Sequence, residues 1–134
     1  MRTPSAERAA SDLQESDMDN YSAKQFFELI KSEENLPVVA KFGAEWCPPC
    51  KEFEPTIKSL ASDKSEFVTI AVDIDDEYDL AVHMGVASVP TTFLIYKGLC
   101  LDSVEGVMTE DQVRTWVKNG VSKATVKSLE VPND

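Results

Sequence analysis

The sequence has no apolar run approaching the about 20 residues that a membrane-spanning helix needs, and it has no surplus of positive charge. Thirteen Lys and Arg stand against 24 Asp and Glu, a net charge of −11. That balance leaves no electrostatic footprint for nucleic acid or an anionic membrane, so neither is expected as a partner. Histidine occurs once and cysteine three times. An odd cysteine count, with two of the three spaced Cys-x-x-Cys, does not resemble the paired framework of a small secreted domain and points to a reducing compartment. The first twenty residues lack the apolar segment of a secretory signal. Glu7, Asp12, Glu15, Asp17 and Asp19 make them too acidic for an ordinary transit peptide. The expected compartment is the cytoplasm, with a mitochondrion reached by an atypical presequence as the second choice.

What is present suits one compact domain: 134 residues, 43% of them hydrophobic, enough to bury a core without staples. Residues 1–20 are polar and unpatterned and read as a flexible tail. Order is expected from Ser22, an N-cap with Gln25 three residues on, which starts a helix bearing Phe26, Phe27, Leu29 and Ile30 on one broad face. Pro37 ends it. Val38 to Phe42 reads as a strand apolar on both faces, as buried parallel strands are, with Lys41 the odd member. A second helix follows Cys47 with Phe53, Ile57 and Leu60 on one side, and Pro55 within it is expected to kink the axis. Val68, Ile70, Val72 and Ile74 alternate through a second strand. The acids from Asp73 to Asp76 suit the start of a short helix that runs to Met84 and is closed by Gly85.

Thr92 to Tyr96 is a third strand, turned at Lys97-Gly98 into a return strand over Leu99 to Val104. Thr109 caps a last helix with Val113, Trp116 and Val117 facing the core, ending at or near Gly120. The order, a βαβ unit followed by a ββα unit, is that of an α/β sandwich with a central mixed sheet. Residues 122–134 either extend the last helix or fray.

The chemistry concentrates at Cys47 and Cys50. A cysteine at a helix start is favoured as thiolate by unpaired backbone N–H groups and by the helix dipole. The thiolate is the nucleophile of disulfide exchange. Cys47 is therefore expected to attack a substrate disulfide, and Cys50, one turn deeper, to resolve the mixed disulfide and leave a Cys47–Cys50 bridge. Pro48 and Pro49 stiffen the turn between them. Trp46 offers an apolar body beside the nucleophile.

Trp46-Cys47-Pro48-Pro49-Cys50-Lys51, Pro55, Val89-Pro90-Thr91 and Gly106 together resemble the thioredoxin family, over roughly residues 21–121. The resemblance implies the thioredoxin fold, with residues 1–20 and 122–134 as tails. It implies a cis proline at Pro90 packed against the cysteine pair, and a substrate-binding surface formed by Trp46, Pro49, Val89, Pro90 and Gly106. It also implies an enzyme that reduces protein disulfides, serves electron transport and cell redox homeostasis as a monomer, and is recharged by an NADPH-dependent donor resembling thioredoxin reductase. No cofactor beyond the Cys47–Cys50 disulfide is required. The Pro-Pro dipeptide is similar to that of tryparedoxins and nucleoredoxins.

The sequence departs from the family's pattern at three positions. The buried Asp that serves thioredoxins as proton acceptor is replaced by Lys41, its partner lysine by Ala71, and a second tryptophan by Gly43, which should leave a roomier wall near the cysteines. Lys41 either lies under the cysteines as a modulator of their pKa or snorkels to solvent with only its stem buried. Other readings are weaker. Cys100 and His83 could complete a zinc site with the cysteine pair, but no compact second pair is present, and no metal is expected. Cys100 reads as a small buried hydrophobe and His83 as a surface residue. The acids between Asp73 and Asp79 lack the glycine and terminal glutamate of an EF-hand and read as a solvated helix start. Two alternatives to the reductase stand: a redox-inactive binding module on the same fold, and a more oxidising protein similar to disulfide isomerases or tryparedoxins.

Overall fold

The computed structural model describes residues 20–129 apart from position 34. The expected N-terminal tail, all but Asn20, and the last five residues lie outside that range. Eight elements follow the expected order: α1 (Ala23–Ser32), β1 (Val38–Gly43), α2 (Pro48–Ala61), β2 (Val68–Asp73), α3 (Tyr78–Met84), β3 (Thr91–Tyr96), β4 (Leu99–Glu105) and α4 (Glu110–Leu129). The sheet is mixed, in the order β2-β1-β3-β4. β1 runs parallel to β2 and antiparallel to β3, and β3 pairs antiparallel with β4.

The element starts follow from local chemistry. Ser22 and Gln25 form a reciprocal capping box on α1, the serine hydroxyl accepting from the Gln25 N–H at 3.1 Å and the Gln25 amide oxygen accepting from the Ser22 N–H at 2.9 Å. Thr109 and Gln112 repeat the device on α4, at 3.1 and 2.8 Å. Pro48 and Pro49 open α2, where missing N–H groups lose nothing. The β3–β4 turn needs two left-handed residues, and Lys97 (φ 53°) and Gly98 (φ 80°) supply them. The acids before α3 work differently from expectation. Glu77, at the N-cap, makes no side-chain capping bond, while Asp73 Oδ1 accepts from the N–H groups of Asp75 (2.8 Å) and Asp76 (3.4 Å) and so tightens the turn ahead of the helix.

Strand alternation divides the interior in two. On one face Val38, Ala40 and Phe42 of β1 meet Val68, Ile70 and Val72 of β2 and Phe93 and Ile95 of β3, covered by Phe26 of α1 and by Leu80 and Ala81 of α3. On the other, Val39 and Leu94 lie under Phe53, Ile57 and Leu60 of α2 and Val113 and Val117 of α4. Each such apolar side chain, taken fully out of water, contributes about 1.5–3 kcal/mol. Phe27, expected on the buried face of α1, is 45% exposed, its ring set edge-on to Phe26 at 5.1 Å and His83 at 6.0 Å.

Gly120 does not end the last helix. α4 runs through it to Leu129, because a Cβ there would collide with the Leu94 side chain; the glycine lets the helix lie close to β3. α2 likewise continues through Pro55, which stands on its exposed side. β4 pairs with β3 alone, and among the described residues nothing pairs with its outer edge. It is tied to α4 by Trp116 Nε1, which donates to Asp102 Oδ2 at 2.8 Å.

Candidate active site

β1 ends at Gly43, and a short turn carries the chain into α2 with Cys47 as its N-cap. The Cys50 backbone N–H points at Cys47 Sγ from 3.2 Å. The sulphur thus occupies the place of a capping oxygen, where orphan N–H groups and the helix dipole favour negative charge. The two cysteines are joined as a disulfide with Cα atoms 5.2 Å apart. Both are almost wholly buried, among Ala44, Ile74 and Val89.

The Val89–Pro90 bond is cis. It places the Val89 carbonyl oxygen 3.6 Å from Cys47 Sγ. Gly106, at φ 100°, a conformation that only glycine adopts without strain, donates its N–H to the Pro90 oxygen at 2.9 Å. Cys47, Cys50, Val89, Pro90 and Gly106 are therefore brought together at one end of the sheet from three separate stretches of sequence. Pro49 is exposed in the first turn of α2. Trp46 stands 64% exposed beside Cys47, its indole N–H donating to Asp75 at 2.8 Å. Asp75 was not legible as a site residue. It sits in a run of acids whose composition suggests only a solvated helix start, and its pairing with Trp46 spans 29 residues.

Lys41 borders the same cavity as Cys50. It is 8% exposed, and its cross-strand partners are Ala71 and Thr92, so no ion pair bridges β1 and β2 there. A Cβ built on Gly43 would meet Lys41 Nζ at 3.0 Å and Cys50 Sγ at 3.1 Å, so amine and sulphur both border the space that the glycine leaves free. The space expected to be left by a glycine at position 43 is therefore largely filled by the lysine. What remains is a cavity of about 90 Å³ bordered by Lys41, Gly43, Cys50, Glu54 and Asp73. Burial pushes the Lys41 ammonium below the ordinary lysine range. The Glu54 and Asp73 carboxylates work against that shift and Lys51 adds to it.

Two expectations away from the pair fare differently. His83 is exposed on α3, as expected. Cys100 is also exposed, on β4, rather than buried. The return strand is an edge whose residues are open to solvent or half-buried throughout, which its alternation of residue types does not reveal. Among the described residues no three His, Cys, Asp or Glu side chains converge on a common point as metal ligands, and no helix is long and apolar enough to cross a membrane.

Comparison with known proteins agrees with this geometry. The family model described as Thioredoxin matches residues 17–119. The mitochondrial thioredoxin of Mus musculus is 41% identical over 91 residues, which are 67% of this chain and 54% of that protein; the chain spans about half the length of that relative. The thioredoxin of Rickettsia bellii (strain RML369-C) is 31% identical over 104 residues, covering 76% of this chain and 97% of its own. Among solved structures, Fasciola hepatica thioredoxin superposes with a TM-score of 0.68 at 27% identity, over 74% of this chain and 94% of that one.

Proposed function

The chain belongs to the thioredoxin family, and from that premise we propose that it reduces protein disulfides by dithiol exchange through Cys47 and Cys50. The observation that carries the reading is the position of Cys47 Sγ, capping a helix N-terminus and facing the carbonyl of a residue next to a cis proline. A helix N-terminus favours the thiolate over the thiol.

The Cys47 thiolate attacks one sulphur of a substrate disulfide. An S–S bond forms to Cys47, and the departing sulphur leaves as a thiolate that takes a proton from solvent. Cys50, as thiolate, then attacks Cys47 Sγ, and the second substrate sulphur leaves in the same way. Two electrons have passed to the substrate and the Cys47–Cys50 disulfide remains. The return to the dithiol needs an external two-electron donor, read here as an NADPH-dependent reductase of the thioredoxin reductase kind. No other cofactor enters.

Trp46, Pro49, Val89, Pro90 and Gly106 form the substrate-docking surface. An extended peptide lies along the Val89 backbone, and the exposed Trp46 ring covers its flank. Residues 21–121 act as the catalytic unit, and the cytoplasm, whose poise keeps such thiols reduced, is the working compartment.

The test is turbidimetric reduction of insulin with dithiothreitol as donor. Native protein accelerates the reaction and Cys47→Ser abolishes the acceleration. A native protein no faster than dithiothreitol alone would leave the fold standing and remove the reductase.

A further inference from the structure

Lys41 is the charged side chain that the apolar interior had least reason to contain. An isolated ammonium taken from water into a protein core is strongly disfavoured unless it is paired or surrenders its proton. Among the described residues no carboxylate lies within ion-pairing distance of it. Its strand neighbours Ala71 and Thr92 carry no charge. Its amine and Cys50 Sγ border the same space, lying 3.0 and 3.1 Å from the point where a Gly43 side chain would begin.

We propose that Lys41 is the proton acceptor of Cys50: in the reduced protein the proton of the resolving thiol resides on the Lys41 amine, and Cys50 stands as a thiolate held by a buried ammonium. The proposal rests on the dithiol-exchange reading of the pair. In the resolving step the Cys50 thiolate, its proton already on the Lys41 amine, attacks Cys47 Sγ, and the Cys47–substrate bond breaks to release a substrate thiolate. The ammonium then returns its proton to water through the cavity beside it, which is large enough to admit solvent.

Three observations support this assignment over a structural one. Gly43 is the residue whose replacement by any other would press on both atoms, so the strand is built to let them approach. Desolvation already loosens the amine's hold on a proton when no thiolate faces it. The charged groups around it are arranged for proton exit. Glu54 and Lys51 face it from α2 and Asp73 from the end of β2, and both carboxylates, with Glu45 of the turn, line the cavity toward solvent.

The test is made on the full chain with Cys47→Ser and Cys100→Ser, which leaves Cys50 as the one thiol. Its ionisation is followed by thiolate absorbance and by the rate of iodoacetamide alkylation against pH. Lys41→Met, a side chain of similar length that suits an apolar strand, is expected to raise the Cys50 midpoint by about one pH unit or more. The same substitution beside a lone Cys47, in a Cys50→Ser and Cys100→Ser background, is expected to move that midpoint less. An unchanged Cys50 midpoint overturns the proposal, as does an equal shift at both cysteines, which would signify general loosening of the site. The titration needs no turnover, so a protein inert toward insulin can still pass it and an active one can fail it.

Discussion

The two faces of the sheet are drawn from the same three strands and have opposite characters. The face under α1 and α3 is apolar without interruption along β1, and its aromatic rings meet edge to face, Phe26 on Phe42 at 6.0 Å and Phe42 on Phe93 at 5.3 Å. The face under α2 and α4 alternates apolar residues with Lys41, Thr69 and Thr92. The hydroxyls of both threonines have no hydrogen-bond partner among the described residues, and the cavity beside Cys50 opens there. Both faces bury an apolar core, and the second also sets buried polar side chains, one of them a lysine, close to the cysteine pair. Because side chains alternate along a strand, a single stretch such as Val38–Gly43 serves both: Val38, Ala40 and Phe42 in one direction, Val39, Lys41 and Gly43 in the other.

Four substitutions test that division. Phe42→Ala empties the aromatic centre of the first face and is expected to lower unfolding free energy by about 3–5 kcal/mol in urea titration, while insulin reduction persists wherever the protein is still folded; a loss below about 1 kcal/mol would break the contrast. Gly120→Ala acts on the second face. The new methyl meets Leu94, and overpacking of about 1–3 kcal/mol outweighs the gain in helix propensity. Net stabilisation would mean that α4 does not lie against β3 as described.

Lys41→Met is expected to stabilise at neutral pH by about 1 kcal/mol, since an apolar replacement for a buried charge is often favourable. The sign with pH follows from the lowered lysine pKa. While the amine is charged in both states the folded chain bears its desolvation. As pH rises through the folded-state pKa toward the ordinary 10.5, the folded protein releases its proton first, and native stability gains on the variant. Urea midpoints for both proteins at pH 7 and pH 10 measure this; an advantage of the variant that does not shrink contradicts it. Asp75→Ala releases Trp46 from its hydrogen bond. Stability should change by less than about 0.5 kcal/mol, while KM for insulin rises a few-fold with kcat little altered, so a fall in kcat alone would mean that Trp46 does more than dock.

Much of this was legible in the sequence where a local rule decides it. The starts of α1, α2 and α4 are written in Ser22, in the Pro48-Pro49 pair and in Thr109, and the two-faced sheet in the alternation from Val68 to Val72. What escaped depends on distant chain segments. Gly120 has the look of a helix stop until Leu94 is known to lie beneath it. Cys100 reads as buried until β4 is known to be an edge. Asp75 belongs to a run of acids, and only the fold brings it to Trp46. The relation of Lys41 to Gly43 was half visible, as two positions on one side of a strand, but the direction of the lysine depends on where α2 docks.

The open side of β4 bears on how copies of the protein behave toward one another. Unpaired among the described residues, its outer N–H and C=O groups form a template to which another strand can add, and Leu99, 66% exposed, is an apolar handle at its start. Asp102 and Glu105 on the strand, within a chain of net charge −11, set copies against that pairing by mutual repulsion. Repulsion of this kind reaches about 10 Å at 0.1 M salt and about 3 Å at 1 M, so the protection that charge gives this edge belongs to the buffer as much as to the fold.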